Sequence, residues 1–199
     1  MDTKQFILDR YDLDENSKMP LDIPHSRWKE MTPLFKDLGF KIGVEIGVFK
    51  GQFLKNLCKG GFKMYGIDPW EDYDTYNDYK GEDFIEYEKE ARERLKDYDC
   101  TIVKKWSMDA VDDFEDESLD FVFIDGNHAL EYVIEDIAAW SKKVRKGGII
   151  SGHDFFRAKH TSNLMHVKDA VDTWVYCYKI KPLFLFRGDK CPSWFYVKE

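Results

Sequence analysis

The run FVFIDGNHALEYVIEDIAAWSKKVRKGGIIS, residues 121–151, reads as a strand, a turn, a helix and a second strand. Four apolar residues, Phe121 to Ile124, suit a buried strand and lead straight into Asp125, Gly126, Asn127 and His128. In the segment Leu130 to Arg145, the residues Leu130, Val133, Ile134, Ile137, Ala138 and Val144 recur at helical spacing and share one face. Lys142, Lys143, Arg145 and Lys146 then precede Gly147 and Gly148. Cations at the negative end of a helix, followed by a glycine able to adopt positive φ, are stop signals. Ile149 to Ser151 resumes as a strand, which completes a βαβ unit.

The same alternation extends outward. Further strands are predicted at Gly43 to Val48, Met64 to Ile67, Thr101 to Val103 and Leu119 to Ile124. Helices are predicted at Gly51 to Lys59, Glu82 to Lys96 and Val167 to Tyr178. In the second of these, Glu88 with Arg92 and Glu90 with Arg94 form i,i+4 pairs on the outer face. Near the end of the chain, Pro182 to Phe186 and Trp194 to Val197 flank the turn Arg187-Gly188-Asp189 and read as an antiparallel pair. The expected fold is a doubly wound, Rossmann-like α/β sheet, mostly parallel and closed by that antiparallel pair. Residues 1–199 are expected to form a single domain, with 1–40 a segment able to cover a ligand site.

Composition narrows the function classes. The net charge of -8 argues against a nucleic-acid binder, which needs a basic stripe to displace counterions. No apolar run approaches a membrane span, and the charged start of the chain shows no targeting pattern. Cys58, Cys100, Cys177 and Cys191 form no CxxC pair or zinc spacing, so the expectation is reduced thiols in a cytoplasmic protein. Trp140, Trp174 and Trp194 read as packing residues.

In an open parallel sheet, ligands sit beyond the carboxyl ends of the strands. The first of those ends carries Glu45, Gly47 and Gly51 in the pattern ExGxxxG, and the next ends at Asp68. A glycine turn followed by an acid at the next strand end suits a nucleoside, because the carboxylate accepts from ribose hydroxyls. The bland reading, a structural strand-turn-helix, stays open, and the dinucleotide pattern GxGxxG is missing.

ExGxxxG resembles motif I of the class I S-adenosylmethionine-dependent methyltransferases. With Gly66 to Trp70, Trp106 to Ala110, Phe121 to His128 and Gly147 to Phe155, the resemblance covers most of the chain. It implies a donor site built from Glu45, Gly47, Gly51, Asp68, Trp70, Ser107, Met108 and Asp125. The plan FIDGxH…GGxxxxxD is similar to metal-dependent O-methyltransferases of the macrocin and mycinamicin type and to cephalosporin-hydroxylase-like sequences. That likeness implies a magnesium or manganese ion on Asp125, His153 and Asp154. It makes His128 the general base beside Asp125, and the acceptor a hydroxyl of a small molecule such as a sugar or natural product. His153 departs from the pattern, since relatives place an oxygen ligand there. Strand alternation makes Asp154 the better ligand of the two.

Several alternatives stand beside this. Asp125-Gly126 is a common turn dipeptide, and Ser107 could cap a helix as well as touch adenine. Tyr132, one turn after His128, could face the pocket. The loop Pro69 to Tyr79 carries the rings of Trp70, Tyr73, Tyr76 and Tyr79 and suits a lid. A metal-dependent hydrolase or hydroxylase using Asp125, His128, His153 and Asp154 is the rival function. Acceptor, cation and oligomeric state are open at this level.

Overall fold

The structure, a computed structural model, describes residues 2–72, 83–157 and 165–199. In chain order its elements are α1 (Thr3–Tyr11), β1 (Leu21–Ile23), α2 (Arg27–Asp37), β2 (Ile42–Ile46), α3 (Gln52–Cys58) and β3 (Lys63–Ile67). Next come α4 (Phe84–Leu95), β4 (Cys100–Val103), α5 (Ser107–Ala110), a 3-10 turn (Val111–Asp113) and β5 (Leu119–Ile124). The chain continues through α6 (Leu130–Lys143), β6 (Val144–Gly152), α7 (Val167–Tyr178), β7 (Phe184–Phe186) and β8 (Ser193–Val197).

All strands join one eight-stranded sheet in the order β1-β7-β8-β6-β5-β2-β3-β4. β8 runs antiparallel to both β6 and β7, while every other pairing is parallel. The expected doubly wound sheet with an antiparallel closing pair is therefore what forms. Alternation along β5 sorts the core into two layers. Phe121 and Phe123 face a layer with Phe35, Phe53, Leu57 and Phe195, whereas Val122 and Ile124 face Ile137, Trp140, Val171 and Trp194. Every residue of β5 is buried, as expected for a central strand covered on both faces. Among the described residues, no helix is long and apolar enough to cross a membrane.

Two boundaries differ from the sequence expectation. The helix after His128 stops at Lys143, and β6 begins at Val144 rather than Ile149. Val144 is buried as predicted, but through pairing with Leu119 and not on the helix face. Arg145 Nε donates to Asp120 Oδ1 at 2.7 Å, which holds the added strand residues in place. The helix expected from Glu82 begins at Phe84, with the Asp83 carboxylate accepting from the Glu86 amide. Glu82 itself lies outside the described residues.

The larger addition is in residues 2–40, which form two helices and an edge strand paired in parallel to β7. α2 escapes sequence detection because Pro33 lies inside it. An interior proline costs about 3 kcal/mol. Met31, Leu34 and Phe35 are buried to within 1% on the same helix. Burying such side chains contributes about 1.5–3 kcal/mol each, so their sum outweighs the proline. Because Pro33 is exposed, Pro33→Ala restores a backbone donor without touching the core. The variant is expected to melt higher by about 2–4 °C per kcal/mol recovered, measured by calorimetry.

Candidate active site

The site is built by turns that extend the sheet's own hydrogen-bond ladder. Just past β2, the Gly47 amide donates to Ile67 O, the last carbonyl of β3, at 2.9 Å. Just past β5, the Asp125 amide donates to Ile46 O of β2 at 2.8 Å. Just past β6, the His153 amide donates to Ile124 O of β5 at 3.1 Å. Three candidate residues are thereby pinned to neighbouring strand ends before any side chain acts. Gly47 has φ of 85°, and a Cβ there would lie 2.1 Å from Asp125 O. Only glycine allows that approach. Gly51, at φ 71°, caps α3 and packs on Ala91 and Leu95 of α4.

Asp68 ties the second strand end to the first. Its Oδ2 accepts from the Phe49 amide at 2.8 Å and its Oδ1 from the Trp70 amide at 2.7 Å. Burial nevertheless pushes the Asp68 carboxyl up to about 6, against the pull of those amides. Trp70 donates its indole N–H to Phe49 O at 2.8 Å and is 4% exposed, so its ring braces the turn. Glu45 is also buried, and burial followed by the nearby Asp125 charge raises its carboxyl well above the usual range. Its Oε2 has no hydrogen-bond partner among the described residues.

One cavity of about 280 Å³ opens over these ends, with Gly47, Asp68, Asp125, His128, His153 and Asp154 in its wall. Asp154 has φ of 55°, so strand alternation stops at Gly152 and both His153 and Asp154 reach the crevice. His128 Nε2 lies 3.3 Å from Asp154 Oδ2 and 3.8 Å from Asp125 Oδ1. One ligand atom from each of Asp125, His128 and Asp154 falls within 4.8 Å of the others, a grouping able to hold a metal ion. His153 stands apart from that trio, with Nδ1 3.0 Å from Ser193 Oγ and Nε2 3.6 Å from Asp154 Oδ1. Burial pushes the Asp125 carboxyl up, but the imidazole of His128, then the charges of His153 and Arg27, outweigh it and leave the group below its usual value. Asn127 Oδ1 accepts from the Ala129 amide at 2.9 Å, so the turn reading of this stretch holds.

A second cavity of about 430 Å³ adjoins the first, sharing Asp72 and Asn127, and is lined by Ser107, Met108, Tyr132 and Asp136. Ser107 does not cap α5 with its side chain. It donates to Asp136 and accepts from the Trp140 indole at 2.8 Å, joining α5 to α6. Burial raises the Asp136 carboxyl to about 7. Asp136 went unread in the sequence, although an acid in register with Val133, Ile137 and Trp140 on the core-facing stripe was a usable signal. Arg27 and Ser193 also flank the site, and neither has a local sequence signature. Of the loop read as a lid, Glu71 and Asp72 line the first cavity, and Tyr73 to Tyr79 lie outside the described residues.

Comparison with known proteins gives this arrangement a family. A model of the methyltransferase domain matches residues 44–155, from β2 to just past Asp154. The O-methyltransferase from Bacillus cereus in complex with SAH superposes with a TM-score of 0.65 at 15% identity, covering 100% of this chain and 91% of that one. TomG, an O-methyltransferase of tomaymycin synthesis from Streptomyces achromogenes, in complex with SAM, gives 0.64 at 14% identity, over 96% and 86%. An rRNA methylase from Streptococcus thermophilus gives 0.61 at 14% identity, over 87% and 97%. No curated protein matches the chain. The chain belongs to the methyltransferase-domain family, and its fold is the one these enzymes share.

Asp136 gives the site a pH signature. An unfolded aspartate titrates near 3.9, whereas buried Asp136 titrates at about 7. The folded state binds the extra proton between those values, so stability falls as pH rises through that window. Asp136→Asn keeps the acceptor for Ser107 and removes the titration. Chemical denaturation from pH 4 to 8 is expected to show a flatter stability curve for the variant.

Proposed function

We propose that the protein transfers the methyl group of S-adenosylmethionine to a hydroxyl oxygen of a small molecule, assisted by a divalent cation. The observation that carries this reading is convergence: Gly47, Asp68, Asp125, His128 and Asp154 surround one cavity. They stand at the carboxyl ends of four adjacent parallel strands, β3, β2, β5 and β6. Family membership favours methyl transfer over the hydrolase or hydroxylase alternative.

The donor would extend across both cavities. Asp68 receives the ribose hydroxyls, Gly47 lets the backbone approach, and Ser107 and Met108 flank the adenine. Asp68 and Asp125 provide a negative field for the sulfonium and ammonium, and Glu45 joins it if the cation draws off its proton. In the transfer, the acceptor oxygen forms a bond to the methyl carbon as the carbon–sulfur bond breaks, leaving S-adenosylhomocysteine. The chain's task is alignment of donor and acceptor, and removal of the acceptor's proton. His128 takes that proton, and the Asp154 carboxylate 3.3 Å away stabilises the resulting imidazolium.

Two carboxylates and a nearby imidazole fit a divalent cation, and the mixed oxygen and nitrogen set suits manganese better than magnesium. Asp125 and Asp154 would hold it, and when bound it would polarise the acceptor oxygen and ease its deprotonation. The grouping also supports a second role for His128 as third ligand, which one variant separates from the role as base. The acidic chain charge of -8 supports a small acceptor over a nucleic acid.

Calorimetry with S-adenosylhomocysteine is expected to give saturable binding, weakened at least tenfold by Asp68→Ala. No heat of binding to the native protein overturns the donor reading. His128→Ala is expected to keep that binding and to lose roughly 10²–10⁴ in turnover, measured with an acceptor found by screening hydroxylated small molecules. Unchanged manganese affinity in His128→Ala marks the base, and a tenfold loss marks the ligand.

A further inference from the structure

The hydrogen-bond chain behind His153 decides which of its nitrogens carries the proton. Arg27 opens α2 and is 7% exposed, with its guanidinium against the rings of Phe53 and Phe123 at 4.8 and 5.8 Å. A guanidinium only donates. Its Nη1 lies 3.4 Å from Ser193 Oγ, and its Nε has no partner among the described residues. Ser193 is fully buried, and His153 Nδ1 lies 3.0 Å from the same Oγ.

Donors and acceptors can be counted from there. Arg27 uses Ser193 Oγ as an acceptor, so the serine's own proton needs an acceptor elsewhere. Among the described residues the side-chain neighbour left for it is His153 Nδ1. Leaving the proton of a buried hydroxyl without an acceptor is costly enough to select one tautomer at room temperature. In a neutral imidazole one nitrogen accepts and the other donates. With Nδ1 accepting, Nε2 carries the proton, and Nε2 faces Asp154 Oδ1 at 3.6 Å in the cavity wall.

We propose that Arg27 and Ser193 are positioning residues that hold His153 as the Nε2–H tautomer, so that this histidine presents a proton to the crevice instead of a lone pair. His153 then turns an N–H toward the Asp154 carboxylate 3.6 Å away, an electrostatic attraction at that range, and it stands outside any cation's ligand set. This accounts for an imidazole at a position where an oxygen ligand was expected. It also assigns a task to the buried cation on α2. The inference builds on the proposed role of the crevice, but tautomer state is read without donor, acceptor or turnover. Loss of S-adenosylhomocysteine binding would therefore count against the function alone.

The test is a two-bond proton–nitrogen correlation spectrum of the native protein labelled on histidine nitrogen, at pH 8 without metal. His153→Gln assigns the resonances by difference. The expected pattern is a protonated Nε2 and an unprotonated Nδ1 at His153. A protonated Nδ1, or two protonated nitrogens, overturns the proposal. Ser193→Ala is expected to convert the single tautomer into a mixture, and an unchanged pattern in a folded variant also overturns it. Manganese titration of His153→Gln is expected to match the native affinity, because the glutamine amide supplies a similar N–H. A tenfold loss would instead make His153 a ligand. The native spectrum decides the question even if Ser193→Ala fails to fold.

Discussion

The sheet's ladder does not stop where its strands stop, and the site depends on that continuation. The amides of Gly47, Asp125 and His153 each bond to the last carbonyl of a neighbouring strand. Their positions are therefore set by the register of β2, β3, β5 and β6. Strand register in turn is set by alternation of buried side chains, since a one-residue slip would turn Phe121 and Phe123 into the opposite layer. The packing that stabilises the core thus also spaces the carboxylates. Gly47 closes the arrangement, because any larger residue would push the first turn off the Asp125 carbonyl.

Several acids sit in or beside this frame with carboxyls that resist ionisation. Glu45, Asp68 and Asp136 are all raised, with burial the largest cause in each. A cation arriving in the crevice reverses that balance, since it favours the charged form of every acid it faces. Binding of a sulfonium or a metal would thus be accompanied by proton release. Acids whose burial disfavours their charge become favourable partners of a bound cation.

Much of this was legible in the sequence, for identifiable reasons. β5 and α7 match their predicted bounds because their patterns are local: an unbroken apolar run in one and helical spacing in the other. Gly47 and Asp68 were nameable because ligands gather at the strand ends of a parallel sheet, and Asp125, His128, His153 and Asp154 because the plan FIDGxH…GGxxxxxD resembles a known family. Three things were not legible. α2 carries an interior proline whose cost is offset by core burial that no local window reveals. Arg27 and Ser193 are 166 residues apart and meet only in the folded chain. The turn at Asp154, with its positive φ, cancels the alternation that had separated His153 from Asp154. The indole bond from Trp70 to Phe49 O, which braces the turn, was not legible either, since it joins residues 21 apart across two strand ends.

The junction of Ser26 with Asp189 bears on how the molecule comes into being. Ser26 Oγ donates to Asp189 Oδ1 at 2.6 Å, and the Arg27 amide to Asp189 Oδ2 at 2.9 Å, across a sequence separation of more than 160 residues. During synthesis the early segment carrying Arg27 must wait for the chain that carries Asp189 and Ser193 to leave the ribosome. At roughly 5–20 residues per second, that interval is on the order of ten seconds. Over that time β1 has no partner strand and the Arg27 side of the crevice is open. The βαβ core around Asp125 can form earlier from contacts closer in sequence. Completion of the crevice wall is therefore a late event, coupled to arrival of the β7–β8 pair.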